Sequence, residues 1–135
     1  MFIPNYERML ATIVHWLEGN VPTDGLVVDL GAGTGALGAA VLEALPDVRV
    51  ELVDIEPNML EVAAARCAAH DGRFQVRHPA SRTSFPAVTP SSPPEEDFYV
   101  PLPDELRLIA DAGFPRPEVF WRDGLIAVYG AFKND

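Results

Sequence analysis

Basic charge is what this chain has least of. Lysine occurs once, at Lys133, and ten basic residues face 20 acidic ones, for a formal charge of −10. No basic stripe is present that would neutralise several phosphates, which argues against tRNA, rRNA or DNA as a partner. Cysteine also occurs once, at Cys67, so an intramolecular disulfide is excluded. Its alanine-rich helical surroundings suit a buried thiol. No apolar run is long enough to cross a bilayer, and Met1-Phe2-Ile3-Pro4 has no signal-peptide pattern. These absences lead to an expectation of a cytoplasmic protein without a membrane partner or a metal. What remains is ordinary for a globular chain: 135 residues, 48% hydrophobic and 22% charged, enough for one domain over 1–135 with one core.

The most informative stretch is Val27-Val28-Asp29-Leu30-Gly31-Ala32-Gly33-Thr34-Gly35. Leu26 to Asp29 is short, apolar and β-branched, as a fully buried parallel strand would be. Glycines at alternate positions allow a tight turn and close approach of backbone to a ligand. A helix from about Gly35 to Leu45 then offers free N–H groups at that turn. The spacing Gly31, Gly33, Ala36 is compatible with the dinucleotide fingerprint. The acid at Asp29 favours a different ligand, because a carboxylate there suits a cationic amino acid and repels a pyrophosphate.

A second stretch, Val50-Glu51-Leu52-Val53-Asp54-Ile55-Glu56-Pro57-Asn58-Met59-Leu60, reads as a strand ending in Asp54 and a helix with Pro57 in its first turn. An acid there, about 20 residues past the glycine turn, is placed to accept hydrogen bonds from ribose hydroxyls. The plainer reading makes Asp54 a helix N-cap.

Together, Asp29-x-Gly31-x-Gly33-x-Gly35 and Asp54-Ile55-Glu56-Pro57-x-Met59-Leu60 resemble motifs I and II of the class I S-adenosylmethionine (SAM) dependent methyltransferases. The resemblance implies a Rossmann-like α/β fold with SAM as cofactor. It places Asp29 near the methionine moiety, the loop Gly31, Ala32, Gly33, Thr34 and Gly35 around the ligand, and Asp54 on the ribose. Ile55 and Met59 would pack on the adenine.

In chain order, Met1 to Asn5 is an extended arm. A helix over about Tyr6 to Glu18 carries the apolar stripe Tyr6, Met9, Leu10, Ile13, Val14, Leu17. Tyr6 and Trp16 suit packing, and His15 the surface. After the two motifs comes a third strand, Arg73 to His78, at a sheet edge. In the resembled family this strand tends to end in a Gly-Asp pair whose acid meets the adenine amino group; Arg77-His78 stands there instead, so the resemblance implies that this contact is absent or changed. From Pro79 to Pro103 lie seven of the chain's 13 prolines, with several serines and threonines and the trio Glu95-Glu96-Asp97. This reads as a loop with polyproline II character. A short helix over Asp104 to Ala112 follows, then two strands around Arg122-Asp123-Gly124, a hairpin signal.

The resemblance covers about residues 1–78 and 101–133. The two strand–helix units between them, roughly 60 residues at about 30 per unit, have no counterpart, and with them goes the family's fourth motif. No catalytic residue is assigned. With strands 4 and 5 absent, strand 1 exposes an edge. The expected fold is therefore a mostly parallel sheet with a C-terminal antiparallel hairpin pairing onto strand 1, in the order 3-2-1-7-6. Homodimerisation through that edge is the rival outcome. The expected function is methyl transfer from SAM to a small molecule. The alternatives are a non-catalytic SAM-binding or interaction module, or an NAD-binding Rossmann protein.

Overall fold

A computed structural model describes residues 5–79, 101–123 and 126–133. These fall in two compact units, one of residues 6–79 and one of residue 5 with 101–133. The first contains α1 (Tyr6–Asn20), β1 (Leu26–Leu30), α2 (Ala36–Ala44), β2 (Arg49–Val53), α3 (Pro57–Cys67), a 3₁₀ turn (Ala68–His70) and β3 (Phe74–Arg77). The second contains α4 (Leu102–Asp111), β4 (Glu118–Asp123) and β5 (Ile126–Gly130). Residues 1–4 of the expected arm and most of the expected proline-rich stretch lie outside the described residues, and Asn5 is in the left-handed region at φ 58°. At its C-terminal border helix α4 starts at Leu102, inside the range expected to be loop.

Three parallel strands form the first sheet, in the order β1-β2-β3. Parallel neighbours need crossovers, and α2 and α3 supply them. The register pairs Val27 with Val50 and Asp29 with Leu52, so these residues share one face. That face is the helix side: a Cβ on Gly38 of α2 would lie 2.4 Å from Leu52 Cδ2, so only glycine lets α2 sit this close. Val41, Leu42, Val50, Leu52, Leu60, Ala63 and Cys67 complete the core. Helix α1 packs on α2, burying Met9, Ile13 and Leu17. These three lie at i, i+4 and i+8, on the stripe read from the sequence. Cys67 is buried, as expected.

Two expectations differ. Strand β1 is not buried on both sides: Leu26, Val28 and Leu30 are 50%, 44% and 75% exposed. An apolar run alone cannot tell a strand covered on two faces from one covered on one. The order 3-2-1-7-6 is not confirmed, because β4 and β5 form a two-stranded antiparallel sheet of their own. The hairpin itself is present, with a register shift between Val119 and Trp121. Within this second unit, burial and the Glu105 carboxylate push the Tyr129 hydroxyl up to about 12. Phe120 fills the space beside Gly130, where a Cβ would come within 2.8 Å of the ring. Among the described residues no helix is long and apolar enough to cross a membrane.

Arg73 has a role that its place at the start of an expected strand did not suggest. Its guanidinium donates to the carbonyls of Leu42 (2.7 Å), Leu45 (3.0 Å), Pro46 (2.9 Å) and Val48 (3.2 Å). These include carbonyls at the end of α2, which no intrahelical N–H satisfies. His70 Nδ1 accepts a further bond from Arg73 at 3.0 Å. Five donors in a planar fork suit this cluster, and a lysine does not reproduce them. Arg73→Ala is expected to cost about 2–3 kcal/mol, and Arg73→Lys to recover less than half. Urea unfolding measures both. A loss below about 0.5 kcal/mol for Arg73→Ala would show that the cluster is dispensable.

Candidate functional site

The carboxyl ends of β1, β2 and β3 form one rim, the place where open parallel sheets bind ligands. After β1 the chain turns through Gly31, Gly33 and Gly35, all in the left-handed region at φ 73°, 53° and 74°. Val53 O holds the turn, accepting from Gly31 N–H at 2.8 Å and Ala32 N–H at 3.0 Å. The three glycines do different things. A Cβ on Gly35 would lie 2.8 Å from Ala63 Cβ, so this glycine lets α2 begin against α3. A Cβ on Gly31 or Gly33 would meet nothing within 4 Å, leaving open space beside the turn. Thr34 is exposed and Ala32 half-buried.

Asp54, one residue past β2, binds both neighbouring loops. Its Oδ2 accepts from Gly33 N–H at 2.7 Å and its Oδ1 from Glu56 N–H at 2.9 Å. The Glu56 bond and then the Gly33 bond hold this carboxyl below its ordinary range. The N-cap of α3 is Glu56, not Asp54. A carboxylate offers about four lone-pair sites, so Asp54 retains capacity toward a ligand. Ile55 and Met59 beside it are 69% and 41% exposed.

Asp29 is the opposite case. Its Oδ2 is buried and has no hydrogen-bond partner among the described residues. Burial, and then the Asp54 charge, push its carboxyl up to about 6, against a smaller lowering by the Gly38 N–H. An orphaned buried carboxylate oxygen, beside a second carboxylate and an open glycine turn, fits a cationic group. It does not fit a pyrophosphate. The sequence-expected residues Asp29, Gly31, Ala32, Gly33, Thr34, Gly35, Asp54, Ile55 and Met59 thus lie together at one rim. His78, which follows β3, joins them: its Nε2 is 2.9 Å from Ile55 O.

Comparison with known proteins bears on the same region. The family described as methyltransferase small domain matches residues 10–86. The chain belongs to this methyltransferase family. This family match supports SAM as the cofactor expected from motifs I and II. A release factor glutamine methyltransferase from Mycolicibacterium smegmatis is 31% identical over 131 residues, covering 96% of this chain and 43% of that protein. One from Vibrio cholerae is 36% identical over 53% of this chain and 25% of its own length. Ribosomal RNA small subunit methyltransferase C from Cronobacter sakazakii is 29% identical over 82% of this chain and 40% of that protein. Among solved structures, a SAM-dependent methyltransferase from Thiobacillus denitrificans in complex with S-adenosyl-L-homocysteine matches 57% of this chain and 29% of its own, at 24% identity and a TM-score of 0.46. The chain spans less than half the length of these curated relatives.

The relatives overturn one expectation from the sequence, a small-molecule acceptor with nucleic acid excluded. Their names specify a protein release factor and ribosomal RNA. The exclusion rested on the acidic net charge and the lack of a basic stripe, which bear on the long-range field and do not define a local acceptor contact.

Two predictions follow from the rim. Gly35→Ala combines a left-handed φ with a clash against Ala63 and is expected to cost about 2–4 kcal/mol. Gly33→Ala meets only the backbone penalty, about 1–2 kcal/mol. Equal losses in chemical denaturation would contradict this division of roles. Asp29 makes stability depend on pH. A carboxyl raised from 3.8 to about 6 by folding leaves stability whole below 3.8, erodes it as pH climbs to 6, and costs on the order of 3 kcal/mol above that. Asp29→Asn is therefore expected to stabilise the ligand-free protein by about 2–3 kcal/mol at pH 8 and to have no such advantage at pH 3.5. A gain independent of pH would remove the electrostatic explanation.

Proposed function

We propose that this chain binds SAM at the rim of β1–β3 and forms the cofactor-binding part of a methyltransferase that modifies protein. The observation carrying the first half is the orphaned Asp29 oxygen beside the glycine turn that Asp54 holds. When bound, SAM supplies an electrophilic methyl group on a sulfonium. The chain's own residues bind and orient. Asp29 takes the cationic amino group of the methionine moiety, which offsets the cost of its buried charge. Gly31, Ala32, Gly33, Thr34 and Gly35 let the backbone approach the ligand. Asp54 accepts from the ribose hydroxyls with its spare lone pairs, and Ile55 and Met59 give the adenine an apolar surface. The Asp29 carboxylate weighs against the dinucleotide alternative, whereas Asp54 suits the ribose of either ligand.

The protein acceptor is supported by the release factor glutamine methyltransferases among the relatives, one of which aligns over 131 residues. The ribosomal RNA methyltransferase supports a second reading, with RNA as acceptor. Methyl transfer depends mainly on holding the acceptor in line with the methyl group, and no residue is assigned that task.

Calorimetric titration with SAM and with S-adenosylhomocysteine tests the cofactor half. Wild type is expected to bind with micromolar affinity, and Asp54→Ala at least about tenfold more weakly. A protein that melts cooperatively and binds neither would defeat the reading. Transfer of a labelled methyl group to a release factor but not to ribosomal RNA would support the protein acceptor; the reverse would favour the second reading.

A further inference from the structure

The two outer strands of the parallel sheet are not alike. On the face away from the helices, β3 carries Gln75 and Arg77, and an exposed charge discourages pairing with another chain. On the same face β1 carries Leu26, Val28 and Leu30. Its backbone alternates. Arg49 N–H donates to Gly25 O at 3.0 Å and Gly31 N–H to Val53 O at 2.8 Å, so residues 25, 27, 29 and 31 turn their backbone groups toward β2. Leu26, Val28 and Leu30 turn theirs the other way, where no strand pairs with them among the described residues. Their side chains are the exposed ones, at 50%, 44% and 75%. Open donors, open acceptors and apolar side chains thus fall on the same residues. The lysine, proline or bulge that commonly blunts such an edge is not there.

This edge runs into the ligand rim. Leu30 precedes Gly31, and Asp29, read above as the partner of the methionine moiety, lies between Val28 and Leu30. A segment laid along the five residues of β1, roughly 17 Å, has one end on the methionine side of the cofactor, where a methyl acceptor must arrive. We propose that β1 is the docking edge for the protein acceptor: an extended segment of that protein pairs with Leu26, Val28 and Leu30 as an added strand and brings its acceptor side chain to the rim. This rests on the protein-acceptor reading. Main-chain hydrogen bonds supply affinity, and alternate apolar side chains of the segment cover the exposed leucines and valine. A polypeptide offers N–H and C=O groups at strand spacing; RNA does not.

The experiment is residue-resolved amide exchange on the full chain with S-adenosylhomocysteine bound, with and without a release factor as the probe. The amides of Leu26, Val28 and Leu30 are expected to slow at least about tenfold, while Val27 and Asp29, already bonded to β2, change little. Val28→Lys puts a charge on the edge and leaves the helix side alone. It is expected to weaken release factor binding at least about tenfold with the affinity for S-adenosylhomocysteine unchanged. Binding that leaves the three amides as they were overturns the docking edge while the protein acceptor stands. No binding of the release factor overturns both. Slow exchange at these amides in the free protein shows the edge already covered, by a second copy if the slowing grows with protein concentration, and overturns the proposal. If Val28→Lys does not melt cooperatively, the wild-type exchange pattern decides alone.

Discussion

The Asp54 carboxylate is the constraint on which the rim depends. It ends the middle strand, so the loops after β1 and β2 flank it. One oxygen fixes Gly33 and the other fixes Glu56. A loop with three residues at positive φ is held by few internal bonds, and tying its centre to the neighbouring strand end stabilises one of its conformations. Because the partners are N–H donors, they favour the charged form, and the group that orders the rim is also its permanent negative charge.

That charge is felt by Asp29. The two acids are treated oppositely by the same fold: Asp54 has donors for both oxygens, while Asp29 has burial, a repelling neighbour and one orphaned oxygen. Placing an ionised group so poorly makes the ligand-free protein less stable at neutral pH. Such a conflict between local chemistry and folding is typical of a binding site. A cation beside Asp29 relieves both burial and repulsion, so the cost in the free protein becomes selectivity in the bound one.

What could be read from the sequence was what depends on short-range chemistry. The alternate glycines, Asp29 two residues before them and Asp54 at the next strand end each carry their geometry in local spacing. The β-α-β-α-β order and the antiparallel hairpin were legible for the same reason, from apolar runs and turn residues. Relationships across distance were not. Arg73 looked like a strand residue because nothing in its neighbourhood reveals that it serves carbonyls 25 to 31 positions earlier. The exposure of Leu26, Val28 and Leu30 depends on what lies over the sheet, and the pairing of the hairpin on which edges meet; neither is written in a strand's own residues.

Strand β1 shows how these levels connect. Its alternation sends Val27 and Asp29 toward the helices and Leu26, Val28 and Leu30 to the other face. On that second face the neighbouring strands are not apolar throughout. Glu51 of β2, 8% exposed, accepts from Gln75 at 2.8 Å and pairs with Arg77, both on β3. Their hydrogen bonds hold the Glu51 carboxyl below its ordinary range. The face is therefore divided: an ion-paired part at Glu51, Gln75 and Arg77, already satisfied, and an apolar part made by β1 together with Val53 of β2. Covering the polar part requires keeping those bonds intact, since a buried charge that loses its partner is costly. Covering the apolar part has no such condition. The strand that aims Asp29 at the ligand rim from one face thus carries, on its other face, the part of the sheet with most to gain from burial.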